Sequence, residues 1–76
     1  MTNNKNLSLD KRYFADKFYE ARTKKGITVE DLAEEIGVTP RVVYSYQNGE
    51  KIPSVTTMVA VSSVLEISLD SMLRLA

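Results

Sequence analysis

Between Thr28 and Gly49 the chain marks the ends of two short helices almost residue by residue, and no other stretch restricts the fold so tightly. Thr28 has the hydroxyl that caps a helix start, and Asp31, three residues later, is placed to reach back to the Thr28 amide as a capping box. Leu32, Ala33 and Ile36 then recur on one helical face. Gly37 stands where the chain must turn left-handed to leave the helix, a conformation that costs glycine nothing. Two residues on, Thr39 caps a second helix and Pro40 occupies its first position, where a missing N–H is no loss. Val43 and Tyr46 continue the inward face, and Gly49 closes the segment. With so short a turn the two helices cross steeply and nearly touch at Ala33, where a larger side chain would push them apart.

The same devices divide the rest of the chain. Residues Met1 to Leu9, with three asparagines, read as a flexible N-terminal arm, leaving 10–76 as one folded domain. Asp10 or Ser8 caps a first helix, Lys11 to Lys25, with Phe14, Phe18 and Ala21 as its buried stripe and Lys24 and Lys25 at the negative end of its dipole. The second and third helices span Val29–Ile36 and Pro40–Asn48. Ser54 caps a fourth, with Val55, Met58, Val61, Ser62 and Leu65 inward. Ser68 caps a fifth, Leu69 to Leu75. Ile27 with Leu32, Val38 with Val43, and Ile67 with Met72 each fit the hydrophobic staple spacing across a cap. Val42-Val43 and Val59–Val61 are β-prone, but each lies inside a capped helical period.

Composition excludes more than it selects. Seventy-six residues make one small domain with a core near the lower limit of sufficiency. Without cysteine there is no disulfide or thiolate metal site, and without histidine the commonest acid–base group and metal ligand is missing. We find no nucleophile–base set and no glycine-rich phosphate loop, so neither an enzyme nor a metal or cofactor site is expected. No apolar run approaches the roughly 20 residues needed to cross a bilayer, and no signal-peptide pattern opens the sequence. A cytoplasmic location is expected.

At this level the chain resembles the Cro/repressor-type (XRE) helix-turn-helix domain of phage repressors and bacterial regulators. The residues that carry the likeness are Arg22, Gly26, Ile27-Thr28, Leu32-Ala33, Ile36-Gly37-Val38-Thr39, Val43, Asn48-Gly49, Pro53-Ser54, Leu65, Ile67-Ser68 and Leu73. The resemblance extends from Phe14 to Leu73 and implies an all-α, lambda-repressor-like domain of five helices. Its helix-turn-helix would be residues 28–49, with the third helix in the DNA major groove.

A recognition helix reads bases with its N-terminal residues while the preceding helix crosses the backbone. With Val43 and Tyr46 turned inward, Pro40, Arg41, Val42, Tyr44 and Ser45 are the expected DNA-facing set. Arg41 is the first candidate, since its planar fork matches guanine O6 and N7. Tyr44 and Ser45 suit a base edge or a phosphate, and Pro40 and Val42 a thymine methyl. Thr28 and Thr39 sit at helix N-termini, which attract phosphate. Asn48 and Lys51 complete the set, Lys51 because its family position often faces the sugar-phosphate backbone. In relatives the first residue of helix two is often a polar phosphate contact; here it is Val29, and that contact is lost. Relatives often pair the arginine at Arg22 with a glutamate near the end of helix three. Here that position is Gln47, and a hydrogen bond would replace the ion pair.

Charge argues partly the other way. From Thr28 to Gly49 there are four acids (Glu30, Asp31, Glu34, Glu35) and one base, Arg41, although Lys11 to Lys25 carries six bases against Asp16 and Glu20. Non-specific affinity comes from phosphate neutralisation, so modest, salt-sensitive binding to double-stranded DNA is expected, with a homodimer supplying two recognition helices. Val59, Ala60, Val64, Leu69, Leu73, Leu75 and Ala76 offer an apolar surface for it on helices four and five. The expected function is a sequence-specific transcriptional repressor. The alternative is a protein-interaction module on the same scaffold: an antirepressor, an antitoxin or a fragment of a larger regulator.

Overall fold

Each helix begins at a side chain that caps its first turn. In the computed structural model, which describes residues 7–76, they are α1 (Lys11–Lys25), α2 (Val29–Ile36), α3 (Pro40–Gln47), α4 (Val55–Leu65) and α5 (Leu69–Met72). Asp10, Thr28, Thr39, Ser54 and Ser68 are the five N-caps, each accepting a hydrogen bond from the amide three residues on. The Thr28 cap is one-sided. Its hydroxyl accepts from the Asp31 amide at 3.0 Å, but the reciprocal bond from the Thr28 amide to the Asp31 carboxylate is not formed. Gly26, Gly37 and, without a glycine, Glu66 leave their helices left-handed. At Glu66, with φ of 55°, the strained conformation coincides with a 2.6 Å ion pair to Lys25 Nζ.

The three staples all close: Leu32, Val43 and Met72 are fully buried, with Ile27, Val38 and Ile67 packed on the same core. Phe14 and Phe18 stack at 5.4 Å between ring centroids, and Tyr46 meets both edge-on at 6.3 and 5.8 Å. Edge-to-face pairs of this kind contribute about 0.5–1.5 kcal/mol beyond their burial. They anchor the inner face of α3 to α1, while Ala33, 1% exposed, sits where α2 packs on α3. Burial holds the Tyr46 phenol above its ordinary value of 10.0.

Four expectations need correction. Val55 is 82% exposed, not inward: Met58, Val61 and Leu65 form the buried stripe of α4, which begins three residues beyond it. Val29, read only as a lost phosphate contact, is part of the core. α3 ends one residue early, with Asn48 as its C-cap. α5 stops at Met72 and does not continue to Leu75, because Leu73 turns extended and the chain end pairs with the N-terminal segment instead. Asp10 N donates to Arg74 O at 2.7 Å, Ala76 N to Ser8 O at 2.9 Å, and Leu9 and Leu75 form an isolated antiparallel bridge. The proposed arm therefore has Ser8 and Leu9 engaged with the domain; its residues 1–6 lie outside the described residues. Arg74 completes this clasp, with Nη2 3.1 Å from Asp10 Oδ2 and its guanidinium 4.2 Å above the Tyr13 ring.

Candidate nucleic-acid interface

Two apolar residues decide how α3 sits. Val43, fully buried, and Tyr46, 4% exposed, hold one side against the core, so the opposite side of the helix faces solvent. Pro40, Arg41 and Tyr44 are exposed there, and α3 carries no carboxylate. Among the described residues Arg41 makes no hydrogen bond or ion pair inside the protein, so its guanidinium is available in full. Val42 departs from expectation: it is half-buried and packs on the core, leaving only part of its surface outward. Ser45 is also half-buried, and its hydroxyl donates to the Val42 carbonyl at 2.6 Å. It retains acceptor capacity, but its proton is committed.

Arg41, Val42, Tyr44, Ser45 and Asn48 join Glu50 and Lys51 around one open concavity of about 470 Å³. Seven of the nine expected residues thus reach or flank a single surface when Pro40 is counted at its leading edge. Thr28 and Thr39 are exposed but act as caps, their hydroxyls accepting from the Asp31 and Val42 amides at 3.0 and 3.3 Å. Neither lines the concavity. Glu50 does, and sequence reasoning missed it. Its carboxylate opposes phosphate beside Lys51, yet it sits beyond the C-terminal end of α3, away from the leading edge. The four α2 acids are exposed but do not line this surface.

Behind the reading face lies a buttress from α1. Arg22 Nε donates to Gln47 Oε1 at 2.6 Å and its Nη1 to the Ile27 carbonyl at 2.8 Å. The expected Arg–Gln bond is therefore present, and Arg22 also ties the start of the helix-turn-helix to its end. Arg12 makes a second attachment, from Nη2 to the Gln47 carbonyl at 3.2 Å. Nothing in local spacing pointed to it, because 35 residues separate the partners. Lys25 is engaged with Glu66, whereas Lys24 is exposed. Among the described residues no three His, Cys, Asp or Glu side chains converge on a metal site, and no helix is long and apolar enough to cross a membrane.

Known proteins resemble this chain in sequence and in fold. The uncharacterized HTH-type transcriptional regulator YqaE of Bacillus subtilis (strain 168) is 28% identical over 61 residues, covering 80% of this chain and 53% of that protein. The chain thus spans about half the length of that relative. The restriction-modification controller protein C.AhdI from Aeromonas hydrophila superposes with a TM-score of 0.75 at 25% identity, over 83% of this chain and 96% of that one. Hydroxypropylphosphonic acid epoxidase from S. wedmorenis contains the same fold, with a TM-score of 0.78 at 24% identity over 86% of this chain but only 35% of the enzyme. That likeness concerns the fold alone, since one scaffold serves proteins of different activity. The family model described as helix-turn-helix matches residues 18–72, most of the chain, with the capped pair α2–α3 at its centre. The protein belongs to the Cro/repressor-type helix-turn-helix family.

Proposed function

We propose that this chain is a sequence-specific DNA-binding transcriptional regulator, acting as a repressor and as a homodimer, with α3 in the major groove. One observation carries the reading: the leading edge of α3 is uncovered, free of carboxylates, and presents an uncommitted arginine. Arg41 reads a base edge, Tyr44 and Asn48 contact a base edge or the backbone, Pro40 and the exposed part of Val42 pack on apolar base surface, and Lys51 faces phosphate. Ser45 acts only as an acceptor. Thr28 and Thr39 present capped helix starts to the backbone. The likeness to the transcriptional regulator YqaE and to the restriction-modification controller protein C.AhdI supports the assignment.

Val55 and Val59, 82% and 53% exposed, with Leu75 at 58%, support contact with a second copy through α4 and the C-terminal residues. Ala60, Val64 and Leu73 are half-buried and pack on the protein's own core, so they contribute less than expected. A twofold pair would set its recognition helices roughly 34 Å apart, one turn of DNA. The same exposed valines favour the second reading, a module that binds another protein.

Selection of duplexes from a random pool at two salt concentrations, followed by NMR titration, separates the two. The regulator reading requires an enriched motif and shifts at Arg41 and Tyr44. Absence of both, with shifts on α4 caused by a protein partner, assigns the interaction module. Sedimentation as a strict monomer at high micromolar concentration, with and without the selected duplex, would remove the dimer.

A further inference from the structure

The exit of α3 is a hydrogen-bond account that closes only through α1. The last turn of a helix leaves carbonyls without intrahelical partners. Here Asn48 N donates to Tyr44 O at 2.9 Å, Glu50 N to Ser45 O at 3.0 Å and Gly49 N to Tyr46 O at 3.3 Å. This is a Schellman arrangement, with Gly49 at φ of 78°. The next carbonyl, that of Gln47, receives no backbone amide, and Arg12 Nη2 donates to it at 3.2 Å. The guanidinium also lies against Gly49: a Cβ built there would sit 3.6 Å from Arg12 Cζ and Nη1. Asp16, one turn along α1, holds the other side through Arg12 Nε at 3.4 Å. Gln47 is thus gripped through both of its oxygens, the side chain by Arg22 and the main chain by Arg12.

We propose that Arg12 is a positioning residue that fixes the exit of α3, and with it Asn48, Glu50 and Lys51 on the rim of the DNA-facing concavity. Its consequence for binding rests on the function proposed above; its action on the α3 exit does not. A cation at the carbonyl end of a helix is favoured by the dipole, and the planar fork lets one side chain bond Gln47 while lying beside the glycine. The role is to reduce the number of poses open to the loop before DNA arrives.

The test compares the wild-type chain with Arg12→Ala and Arg12→Lys. In the free protein, amide hydrogen exchange at Asn48, Gly49 and Glu50 is expected to quicken roughly 3- to 10-fold in Arg12→Ala, the loss of one net hydrogen bond. Amides of α4 stay unchanged, and Arg12→Lys recovers part of the protection. Against a duplex selected from a random pool, Arg12→Ala is expected to bind roughly 3- to 10-fold more weakly, while its calf-thymus DNA affinity and salt slope match the wild type. Unchanged exchange at the α3 exit overturns the proposal. So does an equal loss on both DNAs with the salt slope reduced by about one, which would make Arg12 a direct phosphate contact. Should the wild type bind neither DNA, the regulator reading fails by itself, and the exchange measurement alone decides the role of Arg12.

Discussion

Replacing Gln47 with glutamate puts a negative charge where the Arg22 guanidinium already sits at hydrogen-bond distance. The native contact is 2.6 Å between Arg22 Nε and Gln47 Oε1, and both residues are half-buried. The donor is already charged, so the substitution adds a Coulomb attraction, about 4 kcal/mol for charges near 4 Å apart at an effective dielectric of 20. Dehydrating a partly buried carboxylate costs several kcal/mol and cancels most of that. A net gain of about 0.5–1 kcal/mol is expected, the upper range of partly exposed ion pairs. In a domain of this size that raises Tm by about 2–8 °C at pH 7. The new carboxyl would titrate below its ordinary value of about 4.3 in the folded state. Its contribution is therefore complete above that pH and disappears as pH falls through the lowered folded value. Calorimetric melts of the wild type, Gln47→Glu, Arg22→Ala and the double variant at pH 7 and pH 3 measure the coupling directly. Coincident melts at pH 7, or a gain that survives at pH 3 or without Arg22, would refute the account. The new carboxylate also repels phosphate by itself, so weaker calf-thymus DNA binding by Arg22→Ala, and not by Gln47→Glu alone, would point to phosphate attraction by that guanidinium.

Ala33→Leu, at a site 1% exposed where α2 packs on α3, should destabilise by about 1–3 kcal/mol through overpacking, read as a lower Tm in thermal melts. Arg41→Ala should leave Tm unchanged, because Arg41 has no partner among the described residues. Its affinity for a selected duplex should fall by about 1–3 kcal/mol, with preference relaxed at one base pair, measured by fluorescence anisotropy. Asp10 is held below its ordinary 3.8, first by the Tyr13 amide and then by Arg74. The folded form therefore binds fewer protons than the unfolded chain near that pH, so this stability is present above 3.8 and lost as pH falls through the lower folded value. Asp10→Asn should flatten that acid branch in denaturant midpoints measured from pH 5 to 2.

Most helix ends were legible because caps and staples are local chemistry. Thr39, Pro40 and Val43 stand within five residues of one another, and each has a single structural use at that spacing. The inward face of α3 followed from Val43 and Tyr46, and so did the outward position of Arg41 and Tyr44. Val42 was less readable, since a position at the border of a helical stripe is covered or bare according to what packs beside it. Val55 shows the same difficulty from the other direction: it keeps the period of Met58 and is left uncovered, because the packing on α4 begins only at Met58.

The order of the helices and where each one starts, the tight turn between α2 and α3 and the residue that starts the reading face belong to the sequence alone, through interactions spanning three to five positions. Tertiary structure decided that Arg12 closes the carbonyl of Gln47, that Glu50 joins the rim beside Lys51, and that the chain beyond Met72 leaves the helix to pair with Ser8–Asp10. The Arg12–Gln47 and Asp10–Arg74 contacts join residues 35 and 64 positions apart. No periodicity encodes such partners: they depend on where the packed helices bring the ends of the chain, and the side chains then satisfy whatever backbone groups they find there.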